Sequence, residues 1–283
     1  MTRFIDLHVH PPVAEFLEGP FAPFVAGLAR HHGAAIRPMS LHDLAAHYRD
    51  RDGRAVLLAW DAETATRRRP LSNATVAGFV ADHPDVFLGF GSVDPQKGAA
   101  AVADVHEARR LGLRGLMVHP AVQRFSPSDR MAYPVWETAE ALGLPVLVHS
   151  GFTSVGAGET GGSGIQLAHA DPLHVDKMAA EFPSLQIVLV HPSWPWTDVA
   201  VAVAVHKGNV YLELSGWPPD RLPDVLLDRL DGPLADRVLF GTDFPITTPD
   251  AWMEAWNRAG FSEALTRAVL HDNAARLLGL DQA

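Results

Sequence analysis

Asp6-Leu7-His8-Val9-His10 carries two imidazoles two residues apart, directly ahead of Pro11-Pro12. Ile5, Leu7 and Val9 alternate with Asp6, His8 and His10, and a period of two is that of a β-strand. Both histidines therefore share one face, and the prolines stop the strand just beyond them. Two neutral imidazoles on one strand face can hold one metal ion from adjacent directions. Taken alone, a His-x-His pair is more often solvated or hydrogen-bonded than metal-binding. The rest of the chain weighs against that plainer reading.

Other residues fit for chemistry stand at matching places. His119-Pro120, His149-Ser150 and His191-Pro192 each close a short β-rich run, and Gly241-Thr242-Asp243-Phe244-Pro245 closes another. The runs are residues 4–10, 55–61, 86–93, 113–119, 145–150, 186–191, 210–214 and 238–243. Polar turns and helical segments separate them. Eight strands alternating with helices predict parallel pairing and, most simply, a single-domain α/β fold, a closed (β/α)8 TIM barrel over residues 1–283. Barrel chemistry is built at the C-terminal strand ends, which is where these histidines and Asp243 fall. The other ten histidines read as surface or capping residues.

Helix punctuation agrees. Ser40, with Asp43 three residues on, predicts an N-cap, and Gly112 and Gly143 predict helix ends. Asp171-Pro172 opens another helix, and Asp272-Asn273 predicts the cap of the last one. Residues 199–205 alternate Val and Ala like a strand, but a parallel barrel needs a crossover there, so a helix is expected. Two long connections, residues 16–39 and the glycine-rich 151–164, are expected to be loops covering a substrate.

The 283 residues suffice for one barrel, which takes about 250. A 47% hydrophobic content is globular. The formal charge of −10 argues against nucleic acid and anionic membrane as partners. Cysteine is absent, so no thiolate can ligate a metal. No apolar run reaches the ~20 residues of a membrane span, and the amino terminus lacks a secretory pattern. The expectation is a cytoplasmic enzyme of a small molecule, with a homodimer a possible assembly.

The chain resembles the amidohydrolase superfamily, in particular its amidohydrolase-related branch with aminocarboxymuconate-semialdehyde decarboxylase and resorcylate decarboxylases. The resemblance rests on Asp6-Leu-His8-Val-His10, on His149 after Val146-Leu-Val and on His191 after Val188-Leu-Val. Gly241-Thr-Asp243-Phe-Pro245 and Asn273-Ala-Ala-Arg-Leu-Leu-Gly279 complete it. It implies that His8, His10, His149 and Asp243 are metal ligands, and that His191 is an acid/base or a second-metal ligand. The donor types suit Zn2+ foremost, with Mn2+, Fe2+ or Co2+ also accommodated. Binuclear relatives often bridge their ions with a carboxylated lysine. Lys97, Lys177 and Lys207 are the only lysines, and none ends a strand, so one divalent ion is expected.

Substrate contacts are expected from His119, Arg124, Trp60 and Trp194. Arg67, Arg68, Arg69 and Arg124 follow strands two and four and could fork a carboxylate or phosphate. Trp60, Phe125, Trp194, Trp196 and Trp217 could wall a planar ring. The leading expectation is a metal-dependent hydrolase, with Asp243 and His191 moving the protons of a metal-activated water. The alternative is non-oxidative decarboxylation of an aromatic or unsaturated acid by the same residues.

Overall fold

Eight short runs of β-branched and aromatic residues form the strands of the computed structural model, which describes residues 3–280. They are β1 (Phe4–Val9), β2 (Gly53–Leu58), β3 (Phe87–Ser92), β4 (Leu116–Val118), β5 (Val146–His149), β6 (Ile187–Val190), β7 (Val210–Glu213) and β8 (Val238–Leu239). All neighbours pair in parallel and in chain order. Such strands have helices on one side and the barrel core on the other, so nearly every residue in them is buried. Closure joins the two ends of the sheet: Leu7 N donates to Phe240 O (3.0 Å) and His10 N donates to Phe244 O (3.0 Å). The predicted (β/α)8 barrel is the observed fold.

The strands end one to four residues before the ends predicted for them, and β5 keeps His149. Of the predicted site residues, only His8 and His149 lie inside a strand; His10, His119 and His191 sit one residue past one, and Asp243 lies four residues past β8. Proline follows His10, His119 and His191, so the ladder cannot continue there. The register of β1 also shifts between Asp6 and Val9, which turns the end of the strand.

The helical layer follows its punctuation. Ser40 Oγ accepts from Asp43 N (3.1 Å), capping the helix Leu41–Arg49. Asp171 Oδ1 accepts from Leu173 N (2.9 Å) ahead of Leu173–Glu181. Residues Thr197–His206 are helical despite their Val/Ala alternation, because a parallel crossover has to return the chain. Trp252 stacks on Trp256 (centroids 5.2 Å) and meets Phe240 (4.7 Å), pinning the helix Pro249–Ala259 to the barrel.

Two expectations are corrected. The 16–39 connection contains helices, Ala14–Leu17 and Ala22–His32, whose apolar residues pack down onto the strand ends. Asp272 caps nothing: the chain runs helically from Glu263 through a π-turn at Ala268–Asp272 into Asn273–Leu277. Asn273 Nδ2 instead donates to Ala235 O (2.9 Å) and Val238 O (2.8 Å), tying this last helix to β8.

Candidate metal centre and active site

Asp6 brings the two ends of the barrel seam together. Its carboxylate is fully buried and accepts from His8 N (3.1 Å), Thr242 N (3.0 Å), Thr242 Oγ1 (2.6 Å) and Tyr48 Oη (2.7 Å). Burial pushes the carboxyl up to about 7 in spite of those donors, each of which acts to lower it. The clamp holds the end of β1 against Gly241-Thr242-Asp243. Asp6 belonged to the sequence signature, yet spacing alone assigned it no task.

His8 Nε2 lies 3.2 Å from His10 Nε2. Asp243 Oδ1 lies 3.5 Å from the former and 3.7 Å from the latter. A point about 2 Å from all three atoms exists near their plane, and that is the length of a metal–imidazole or metal–carboxylate bond. Two ring N–H groups could not face each other at the separation of the Nε2 atoms. Burial pushes His8 down to about 3 and His10 well below its ordinary value, so both rings are neutral and offer lone pairs. His10 Nδ1 is buried without a hydrogen-bond partner. The donor set, two imidazoles and a carboxylate, therefore fits a divalent cation.

His149, the fourth ligand implied by resemblance, falls outside that cluster. Its ring stacks on His119, centroids 3.7 Å apart and planes 14° from parallel, and meets His191 edge-on at 4.7 Å. His149 Nδ1 is buried and unpartnered. Leaving such an atom unsatisfied costs roughly 1–3 kcal/mol, which a ligand held on this nitrogen would offset.

His191 sits in the left-handed region (φ 67°), as does Asp243 (φ 59°). Non-glycine residues are strained there, and such strain clusters at functional sites. His191 Nδ1 lies 3.0 Å from Ser215 O, which can only accept, so Nδ1 carries the proton and Nε2 keeps its lone pair. Burial and the neighbouring His8 push His191 down to about 4. Burial raises the Asp243 carboxyl, helped by Glu213 and Asp6.

His119 is anchored rather than free. Its Nδ1 accepts from Val122 N (3.4 Å) and its Nε2 lies 3.3 Å from Thr153 Oγ1. Its backbone N donates to Gln123 Oε1 (2.7 Å), while Gln123 Nε2 donates to Asp61 O (2.6 Å) and Val93 O (2.7 Å). Lys97 Nζ pairs with Asp61 Oδ2 (2.7 Å) and Glu63 Oε2 (2.8 Å), away from any metal-bridging position.

These groups open onto a cavity of about 380 Å³. Phe16, Phe21 and Trp60 form one wall, and Phe16 lies parallel to His10 at 5.7 Å. Phe152, Thr153 and Val155 come from the glycine-rich connection, and Trp217, Pro218 and Arg221 from the segment after β7. His31 and His32, exposed as the sequence reading had them, also line its mouth. Arg30 and Glu159 form an ion pair that joins the two long connections.

Several expected contacts lie elsewhere. Arg124 is exposed, turned by its left-handed backbone (φ 60°) toward Gly164 and away from the cavity lining. Arg67, Arg68 and Arg69 are exposed and do not line the cavity either. Trp194 is 49% exposed and packs edge-on against Phe152 outside the lining. Sequence reading missed Glu213, Arg221 and the phenylalanines. Glu213 did leave a signal, a lone charge inside the apolar run Val210-Tyr-Leu-Glu-Leu214.

The amidohydrolase family profile matches residues 5–280. The chain belongs to the amidohydrolase family. A γ-resorcylate decarboxylase from Polaromonas sp. is 25% identical over 293 aligned residues, covering 87% of each chain. The protein FluG of Emericella nidulans is 31% identical over 130 residues, which are 44% of this chain but only 14% of that relative's length. An uncharacterised TIM-barrel protein from Bordetella bronchiseptica superposes with a TM-score of 0.80 at 25% identity, covering 99% of this chain and all of that one. A dihydroxybenzoic acid decarboxylase from Polaromonas sp., solved with manganese and 2-nitroresorcinol, gives a TM-score of 0.70 at 22% identity, covering 100% and 98% of the two chains.

These relatives overturn the expectation of hydrolysis. The relative matched along its length is a decarboxylase, and solved neighbours of the same fold are decarboxylases of aromatic acids. The decarboxylase alternative is the better supported one. Among the described residues, no helix is long and apolar enough to cross a membrane.

Proposed function

We infer that this protein is a divalent-metal-dependent, non-oxidative decarboxylase of a small aromatic acid. The observation that carries the reading is the His8–His10–Asp243 triangle opening onto an aromatic-walled cavity, in a chain related along its length to a γ-resorcylate decarboxylase. One divalent ion is proposed. Zn2+ and Mn2+ both accept this donor set, and the manganese of the Polaromonas structure makes Mn2+ the first ion to load. Such an ion supplies positive charge that binds substrate oxygens and draws electron density from the ring.

The chain's own residues supply the rest. Phe16, Phe21 and Trp60 offer faces on which a planar ring packs. Asp243 is the carboxyl that reaches the cavity, since Asp6 and Glu213 are sealed behind it. Its Oδ1 faces the imidazoles, and its Oδ2 lies by Gly216, the glycine that His191 also adjoins. Asp243 is therefore assigned to deliver a proton to the ring carbon that bears the carboxylate. The carbon–carbon bond then breaks, its electron pair returns to the ring, and CO2 leaves. A solvent proton restores Asp243, so one proton and no water is consumed. His191, with Nε2 free, accepts a hydrogen bond from a substrate hydroxyl. Arg221 is the Arg or Lys side chain on the cavity lining and has no ion-pair partner among the described residues; it is assigned to an anionic substituent.

The test is incubation of Mn2+-loaded protein with 2,6-dihydroxybenzoate and with 5-carboxyvanillate in D2O. The expected products are CO2 and an arene carrying deuterium at the vacated carbon. Inert acids together with 18O from labelled water appearing in the acid released from an ester or amide would overturn the reading.

A further inference from the structure

Glu213 is a carboxylate with no exposed surface, at the C-terminal end of β7, and it lies outside the cavity lining. Burying an ion there is costly unless it is hydrogen-bonded, and both of its oxygens are. Oε1 accepts from Ser215 N (2.7 Å) and Oε2 accepts from Ser215 Oγ–H (2.7 Å). The barrel makes room for it. A Cβ at position 241 would stand 1.9 Å from Glu213 Oε1, so only glycine fits opposite.

Two functional imidazoles present the same nitrogen to this pair. His8 Nδ1 lies 3.5 Å from Glu213 Oε2 and 3.4 Å from Ser215 Oγ. His191 Nδ1 lies 2.9 Å from Ser215 Oγ and 3.0 Å from Ser215 O. Because the serine hydroxyl donates to Glu213, its lone pairs face the rings and accept. Each ring must then carry its proton on Nδ1, which leaves the Nε2 of His8 for a metal and the Nε2 of His191 for substrate.

We propose that Glu213 and Ser215 form one positioning unit that sets the tautomers of His8 and His191 together, and so couples metal binding to the geometry of the histidine that receives the substrate hydroxyl. The proposal rests on the metal-binding role of His8 and the substrate-binding role of His191 inferred above, and two of its readouts need no turnover.

Glu213→Gln keeps the volume and reverses the polarity. The amide nitrogen placed at Oε2 would donate toward Ser215 Oγ and His8 Nδ1, favouring the His8 tautomer with its proton on Nε2. The expected result is a 10–100-fold weaker Mn2+ or Zn2+ affinity in competition with a chelator, the usual loss when a carboxylate behind a ligating histidine is removed. In the metal-free protein, 15N spectra of labelled histidine should move the His8 proton from Nδ1 to Nε2. Ser215→Ala removes the hydroxyl that links His191 to Glu213, leaving His191 Nδ1 only the backbone carbonyl of residue 215, and leaves Glu213 beside His8. It should bind metal within about twofold of the parent affinity and lose roughly 10-fold in kcat at unchanged KM.

Glu213→Gln protein with parental metal affinity and His8 still protonated on Nδ1 would overturn the proposal. If that variant does not fold, parental kcat in Ser215→Ala overturns it equally. Should no aromatic acid prove to be a substrate, the affinity and 15N measurements still decide this inference separately from the decarboxylase reading.

Discussion

The imidazole of His119 lies flat on that of His149, ring centroids 3.7 Å apart and planes 14° from parallel. His119 is itself fastened on three sides, by Val122 N, by Thr153 and, through its backbone, by Gln123. It thus acts as a fixed plate that sets the plane of a ring whose Nδ1 has no other partner. His119→Ala is expected to lower kcat about 10–100-fold, the range for losing a residue that orients an active-site group. Metal content should be unchanged, because His119 stands outside the His8–His10–Asp243 triangle. His119→Phe keeps a flat face and should recover most of the loss. Steady-state kinetics with elemental analysis of the three proteins checks this.

The same triangle ranks the metal ligands. His10→Ala removes one of three atoms that share a point about 2 Å away and should leave little bound metal after dialysis. His149→Ala should retain most of its metal and lose turnover instead, since His149 lies beside the triangle rather than in it. Metal stoichiometry in the reverse order would move the ion toward His149.

Substrate charge should be read by Arg221 and not by Arg124. Both side chains are exposed, but Arg221 lines the cavity mouth, whereas Arg124 lies beside Gly164 outside the lining. Arg221→Met is expected to raise KM for an anionic substrate about 10-fold with kcat little changed, the pattern of lost uniform binding. Arg124→Met should match the parent. A substrate pair differing by one carboxylate-to-amide change provides the measurement.

Tyr48→Phe should destabilise the metal-free protein by about 1–3 kcal/mol, because it removes one hydrogen bond from the buried Asp6 carboxyl. The sign of its pH dependence follows from Asp6. Burial raises that carboxyl from 3.8 to about 7 in the fold, so its contribution to stability is largest in acid and fades as pH rises through about 7. Tyr48 favours the ionised form, so its loss matters more where Asp6 must ionise. The difference in unfolding free energy between parent and variant should therefore be larger at pH 8 than at pH 5, measured by denaturant titration with a chelator present. An equal difference at both values would show that Asp6 keeps one ionisation state across the range.

The eight strand positions and the chemistry of their ends were legible in the sequence because both are local. Alternation in Ile5–His10 and a proline after His10, His119 and His191 depend only on neighbours along the chain. Parallel order then sends every strand's C-terminal end to one face of the barrel, so five residues far apart in sequence could be assigned to one site. Side-chain direction past the strand ends is another matter. Arg124 and Arg221 both follow strands, but a left-handed residue turns Arg124 outward, while Arg221 comes to line the cavity. Reach and direction depend on φ, ψ and rotamers set by packing between distant segments, which composition and spacing do not encode. Glu213 makes the same point from inside the barrel. Its charge was visible in an apolar run, but its partners, His8 more than two hundred residues earlier and the space opened by Gly241, exist only once the sheet has closed.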